Sequence, residues 1–307
     1  MSKHQPGYGF GVSAVGIEPH EWDPGELAER VRAVFASPAY RPPNLPQMAL
    51  EVMSLSHQRD VDIKQISALI ERDPVLAARL LKVANSAAYR GSSPMRTVRD
   101  AVQRLGLSLM RDIVMAEAMS MRIFRAGGGY ADSLEELRLH SLATAHLARL
   151  VCRETSLDTE YAFLCGLLHD IGIAAILLAM GDVARGQTPP GLDLLWPVAD
   201  EAHATVGAQV ARLWNLPADV ALVIERHGRV RLEGRPHPLV AAVQIAEELA
   251  MAGGLALLPK LPDGVVMMSV DRVDADESAV ARAALGIDER TMGRLLEGAE
   301  QVIATLG

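Results

Sequence analysis

The chain has 307 residues and a mass of 33.0 kDa, enough to bury a large core in one big domain or two modest ones. Half of its residues are apolar but only 4% are aromatic, so the core must be built from Leu, Ala, Val, Ile and Met, which suits close-packed helices better than a sheet sandwich. With 30 basic and 38 acidic residues the net charge is -8, which repels a polyanion and sets aside general nucleic-acid binding unless a basic patch is locally concentrated.

Residues 1–40 open on a Gly- and Pro-containing stretch without the apolar run of a secretory signal, then predict a helix from Asp23 to Phe35 with Pro24 in its first turn. They read as a flexible tail and a lead-in helix. From Asn44 to Phe124 amphipathic helices follow one another, each with a start signal: Asp62 with Gln65 as a capping box, Asp73 before the first-turn Pro74, and Thr97 with Asp100 as a second box. Residues 41–126 are therefore assigned to an N-terminal helical lobe.

The stretch Arg125–Asp132, with Gly127, Gly128 and Gly129, breaks this pattern and marks a boundary. A second helical lobe is expected over residues 127–251. Ser133 and Glu136 box the start of a helix carrying His140, Asp158 caps one carrying Cys165, Gly166 and His169, and Gly172 follows the His169–Asp170 pair. The apolar run Tyr161–Met180 is nearly long enough to cross a bilayer, yet the ionisable pair at its middle is expensive in lipid, so it reads as a buried helix. After a polar loop from Gly186 to Asp193, helices are expected around His203, from Pro217 to His227 and from Pro238 to Met251. Residues 252–307 form an extension expected to pack on the second lobe, with VVMMSV as a short strand and a last helix from Asp288 to Leu306. Cys152 and Cys165 sit in apolar helical patterns and read as core residues in a reducing compartment, which points to the cytoplasm and away from a membrane.

Six of the nine histidines fall between positions 140 and 237. Helical spacing sorts them, because residues at i, i+3, i+4 and i+7 share a face. His227 continues the stripe Val220, Val223, Ile224; His203 shares a face with Val206, Gly207 and Val210; His140 shares one with Thr144 and Leu147; Glu247 can join Val240 and Val243, although Leu249 and Ala250 mark an inward face equally well. His146, six positions after His140, points elsewhere. Taken singly, each histidine reads as a core residue bonded to backbone, and His227 also suits the carbonyl end of its helix. Taken together, four inward histidines with Asp170 and Glu247 outline a site for a divalent metal such as Fe, Mn, Zn or Mg, since isolated ionisable groups are costly to bury.

The segments LPQMALEVMSL, ALIERDPVLAARLLKVANSAAYRGSSP and TVRDAVQRLGLSLMRDIV, followed by HSLATAHLARL, AFLCGLLHDIG, EAHATVGAQVARLWNLP, VIERH and VQIAEELA, resemble an HDOD domain over roughly residues 45–251. That resemblance implies an all-α fold with two lobes and a bacterial signalling role, distantly similar to HD-type metal phosphohydrolases. In those catalytic relatives the first histidine, the His-Asp pair and a late aspartate hold a metal, which maps to His140, His169, Asp170 and Glu247, the last a longer arm than the family's aspartate, with His203 and His227 as an extra pair. The departures concern catalysis: Ile173 follows HDIG where catalytic cyclic-dinucleotide phosphodiesterases have a lysine, Gly228 replaces the second of their paired histidines, and RVRLEGRPHP stands where a GYP signature would follow.

Three functions are compatible with these residues. The first is a non-catalytic regulatory module acting on signalling proteins or on a second copy of itself, with a retained or vestigial metal site. The alternative is a metal-dependent phosphohydrolase or phosphodiesterase for a nucleotide or cyclic dinucleotide, with Asp170 as catalytic base and Arg226 and Arg229 facing substrate phosphate instead of lining a solvated loop. The third, ranked last, is nucleic-acid binding through AVQRLGLSLMRDI, a helix-turn-helix-like stretch near Arg96, Arg99, Arg104 and Arg111.

Overall fold

The computed structural model describes residues 22–45, 47–56, 61–86, 89, 91, 93–124, 129–157, 161–183, 188–256 and 274–306. Among these the fold is all-α apart from one two-residue hairpin, as the composition predicts.

Helix α1 (Pro24–Ala36) starts where the sequence signals it, with the Asp23 carboxylate accepting from the Gly25 and Glu26 amides. Leu27, Val31 and Phe35 form its buried stripe, and that stripe faces the second lobe. It packs on α9 (Leu192–Leu213), where Gln209 Nε2 donates to the Phe35 carbonyl at 2.9 Å and Trp214 Nε1 to that of Pro43 at 3.1 Å. The lead-in helix is thus an outer layer of the second lobe.

In the first lobe, α2 (Gln47–Ser56), α3 (Ile63–Ile70) and α4 (Pro74–Ala84) pack against α5 (Val98–Arg122). Asp73 caps α4 through the Val75 and Leu76 amides, and Thr97 and Asp100 close a reciprocal capping box at α5. At α3 Asp62 caps through the Lys64 amide, not through a box with Gln65. Asn85 ties the end of α4 to the entrance of α5, its side chain both donating to the Met95 carbonyl and accepting from the Met95 amide at 2.8 Å. Helix α5 turns sharply at Gly106 (φ 80, ψ 167), a conformation essentially confined to glycine.

The second lobe is built from α6 (Ala131–Thr155), α7 (Ala162–Leu168), α8 (Ile171–Val183), α9, α10 (Ala218–Arg226) and α11 (Pro238–Ala252). Two expected starts are corrected here. Helix α6 begins at Tyr130 with no side-chain cap, so the box expected from Ser133 and Glu136 lies inside the helix. Tyr130 is buried and its hydroxyl donates to the Pro190 carbonyl at 2.8 Å; this tertiary anchor overrides the local signal. Helix α7 follows Tyr161, also without a side-chain cap, and Asp158 lies outside the described residues. The stretch Ala162–Gly181 is long and apolar enough to cross a membrane, yet nearly all of it is buried among other helices, and it is broken into α7 and α8 at His169–Asp170.

The segment after α10, read from sequence as a loop, forms a hairpin of β1 (Arg231–Leu232) and β2 (Arg235–Pro236), turning through Glu233 (φ 50) and Gly234 (φ 78) as a tight antiparallel connection requires. Helix α12 (Ala275–Ala284), capped by Asp274 and not among the elements expected from sequence, packs on α11, and α13 (Glu289–Leu306) packs mainly on α6. VVMMSV lies outside the described residues.

The lobes meet through a buried ionic cluster. Asp112 on α5 accepts from Arg149 on α6 at 3.1 Å and lies 3.4 Å from Arg111 Nε, while the Arg111 guanidinium sits 5.9 Å over the Tyr161 ring. Burial pushes the Asp112 carboxyl up to about 6 against the pull of both guanidinium groups. Arg111, counted in sequence among the residues of a nucleic-acid face, is only 2% exposed.

Candidate metal centre

Each candidate histidine arrives from a different helix. His140 lies on α6, His169 at the end of α7, His203 on α9 and His227 at the end of α10, and Asp170 sits in the turn between α7 and α8. The apolar neighbours that predicted their inward direction are buried: Leu147, Val206, Val210, Val220, Val223 and Ile224 are all in the core.

The four rings are oriented in the same way. His140 Nδ1 lies 2.7 Å from the Leu255 carbonyl, His169 Nδ1 2.8 Å from that of Gly166, His203 Nδ1 2.5 Å from that of Asp200, and His227 Nδ1 2.7 Å from that of Ile224. A carbonyl oxygen only accepts, so each Nδ1 donates and each neutral ring turns the lone pair of Nε2 to the other side. All four lone pairs converge on Asp170. Its Oδ2 is 3.7 Å from His140 Nε2 and 3.5 Å from His169 Nε2, and its Oδ1 is 3.5 Å from His203 Nε2 and 3.4 Å from His227 Nε2.

The ring nitrogens also face each other in pairs, His140 Nε2 to His169 Nε2 at 3.1 Å and His203 Nε2 to His227 Nε2 at 3.0 Å. Two lone pairs at that distance beside a carboxylate repel unless a proton or a cation lies between them. At His169 burial drives the pKa down to about 3, against the pull of Asp170, so that ring resists protonation. At His227 burial also opposes charge, but the hydrogen bond and charge of Asp170, helped by Glu247, hold its pKa above the ordinary value. The donor set therefore fits divalent metal: two groups, His140–His169–Asp170 and Asp170–His203–His227, each with ligand atoms within 4.8 Å of one another and Asp170 common to both.

Close backbone approach makes this convergence possible. A Cβ on Gly166 would stand 2.7 Å from the Thr144 carbonyl of α6, one on Gly172 would collide with the His203 carbonyl of α9, and one on Gly207 would press on Ile224 of α10 at 2.8 Å. Sequence reading singled out these glycines without a role for them, and it could not find the Leu255 carbonyl, since every residue offers one.

Glu247 is buried on α11 as its stripe predicts and lies near enough to raise the His227 pKa, but neither close group of ligand atoms includes it. Arg226 is half-buried and Arg229 exposed on the turn beyond His227. His146 stands apart, edge-on to the Phe163 ring at 5.1 Å, its pKa held down to about 4 by burial and the nearby Arg149 charge. The site is enclosed: His140, His169 and Asp170 are at most 1% exposed, and only the side chain of His203 reaches 14%.

The HDOD domain family model matches residues 43–230. An uncharacterised protein of Treponema pallidum is 28% identical over 221 residues, 66% of this chain but 41% of that protein. Ribonuclease Y of Thermobifida fusca is 29% identical over 160 residues, 52% of this chain and 26% of that protein, so the chain spans less than half the length of either curated relative. Among solved structures, an HDOD domain protein of unknown function from Geobacter sulfurreducens superposes with a TM-score of 0.67 at 24% identity, over 92% of this chain and 98% of that one. A Shewanella amazonensis protein, provisionally named a metal-dependent phosphohydrolase, does so with a TM-score of 0.70 at 20% identity, over 92% of this chain and 99% of that one. At those identities both show a common fold.

Proposed function

The chain belongs to the HDOD family, and we propose that it is a bacterial regulatory module whose second lobe binds divalent metal to organise its helices, and which acts through contact with signalling proteins or a second copy of itself. The observation that carries this reading is the enclosure of an otherwise complete ligand set. Four histidines of one tautomer surround Asp170, yet the half formed by His140, His169 and Asp170 offers almost no surface to a substrate. His140, His169 and Asp170 would hold one ion and Asp170, His203 and His227 a second, with Glu247 near the latter. Such an ion supplies Lewis acidity toward water and phosphoryl oxygens when bound. Here the chain's own residues contribute position: five helices are tied to one carboxylate. Ile173 supports the same reading, because it is buried where a lysine would face phosphate.

A second reading, a metal-dependent phosphohydrolase, is favoured by one feature. The His203–His227 side is the less enclosed, and Arg226 and Arg229, which flank His227 in the chain, are donors suited to phosphate oxygens. Elemental analysis of the purified chain beside His140→Ala and His169→Ala, with a panel of nucleotide, cyclic-dinucleotide and RNA substrates assayed on the metal-loaded protein, tests both. Stoichiometric metal, reduced in the variants, without turnover is the expected result; absence of metal from the unaltered chain would overturn the metal reading, and hydrolysis abolished by His169→Ala would establish the enzyme.

A further inference from the structure

The family match ends at residue 230, yet the carbonyl that orients His140 and the carboxylate that holds the turn after His227 both come from beyond it. Helix α11 ends in a two-bond stop: Gly254 takes a positive φ of 81, its amide bonds to the Met251 carbonyl, and the Leu255 amide bonds back to that of Ala250. This turn places the Leu255 carbonyl on His140 Nδ1 at 2.7 Å. On the other side, the first residues after His227 are held by α12. Glu277 Oε2 accepts from the Val230 amide at 2.6 Å and its Oε1 lies 3.8 Å from Arg231 Nη1, while the Val230 carbonyl is taken by the His237 amide at 2.9 Å. The next residue, Ser278, donates to Glu248, and Arg282, one turn further, lies 3.5 Å from it, fastening α12 to the helix that carries Glu247.

We propose that the Gly254–Leu255 turn and helix α12 form a positioning clamp on the metal centre: Glu277 holds the turn after His227, the Gly254–Leu255 stop holds His140, and metal binding and docking of α12 therefore reinforce each other. The inference rests on the metal reading of the site. Its physical basis is that losing a group which orients a metal ligand typically costs about 10–100-fold in metal affinity, and that any coupling between two binding events is reciprocal. A metal that draws His227 inward tightens the Val230–Glu277 bond, and a docked α12 holds His227 ready for metal. The occupancy of a buried centre is thus expressed at a surface helix.

The test uses the full chain stripped of metal, with Mn2+ and then Zn2+ as probes, titrated by calorimetry, and amide hydrogen exchange followed with and without metal. Glu277→Ala and Gly254→Ala should keep their helical circular dichroism and bind Mn2+ about 10-fold more weakly. In the unaltered chain, metal should slow exchange in α12 and over residues 229–237. Metal affinity within twofold of the unaltered protein in both variants, or exchange in α12 indifferent to bound metal, would overturn the clamp while leaving the metal site standing. If neither ion binds the unaltered chain, the reading of the site itself falls and the clamp with it. Should a variant fail to fold, the exchange measurement on the unaltered chain decides alone.

Discussion

Gly172 and His203 touch through their backbones: a methyl group at position 172 would overlap the His203 carbonyl oxygen, so α8 and α9 meet where Gly172 and Gly207 leave out their side chains. Gly172→Ala must push the two helices apart and carry His203 away from Asp170. Overpacking of this kind costs about 1–3 kcal/mol, and the backbone on the receiving side cannot rotate out of the way, so the upper end is expected. Urea denaturation gives the loss of stability, and calorimetric titration with Mn2+ should show weaker binding. A variant as stable as the parent would mean that the contact is not tight.

His146 sets an acid limit on the fold. Its pKa in the folded chain is pushed down from 6.5 to about 4 by burial first and the Arg149 charge second. A histidine with a depressed folded pKa contributes stability that is complete above pH 6.5 and lost as pH falls toward 4, because the unfolded chain takes up the proton first. The loss reaches about 3 kcal/mol by pH 4. Melting temperatures of the parent should therefore fall more steeply between pH 6.5 and pH 4 than those of His146→Leu. Parallel curves would show that His146 is not the group responsible.

Asp112 carries the opposite sign. Its folded pKa is raised by burial to about 6, so its contribution is most favourable below the ordinary carboxylate value and diminishes as pH rises through 6. Removing it is nonetheless damaging, since Arg111 at 2% exposure would lose the adjacent carboxylate. Asp112→Ala is expected to cost about 3–5 kcal/mol. Arg149→Ala, at the exposed end of the cluster, should cost clearly less, and a chemical-denaturation comparison of the two variants gives the order.

At Gly106 the expectation concerns backbone alone. Nothing lies within 4 Å of the position a Cβ would take, so Gly106→Ala meets no neighbour and its cost is conformational, about 1–3 kcal/mol. Because the change lies in the other lobe, metal content by elemental analysis should be unaltered. Loss of metal in this variant would mean that the first lobe reaches the centre.

The features legible in the sequence are those with a helical period. Spacing places His203 and His227 inward on stripes of Val and Ile, the apolar run around the His169–Asp170 pair marks it as buried, and Asp73–Pro74 and the Thr97–Asp100 box mark helices of the first lobe. Helix α12 was illegible because its buried face consists of Ser278 and Ala281, small residues that leave no apolar stripe. The hairpin was illegible because its strands are two residues long and rich in arginine, and because Glu233 adopts a positive φ that its side chain does not advertise. The expected box at Ser133 lost to Tyr130, whose partner Pro190 is 60 positions away. Glu247 was correctly read as inward, but the period of a helix gives direction and not distance.

The break between α7 and α8 has a consequence during synthesis. Residues 162–181 are apolar enough to enter a bilayer, and they emerge before α9, α10 and α11, which later cover them, have been made. An aspartate at the middle of such a segment costs roughly 2.5–3.5 kcal/mol on insertion, so the carboxylate that gathers the imidazoles in the finished fold also argues against lipid while the chain is incomplete. Replacing His169 and Asp170 with leucine would do more than empty a ligand set: it would give the nascent chain a credible transmembrane helix.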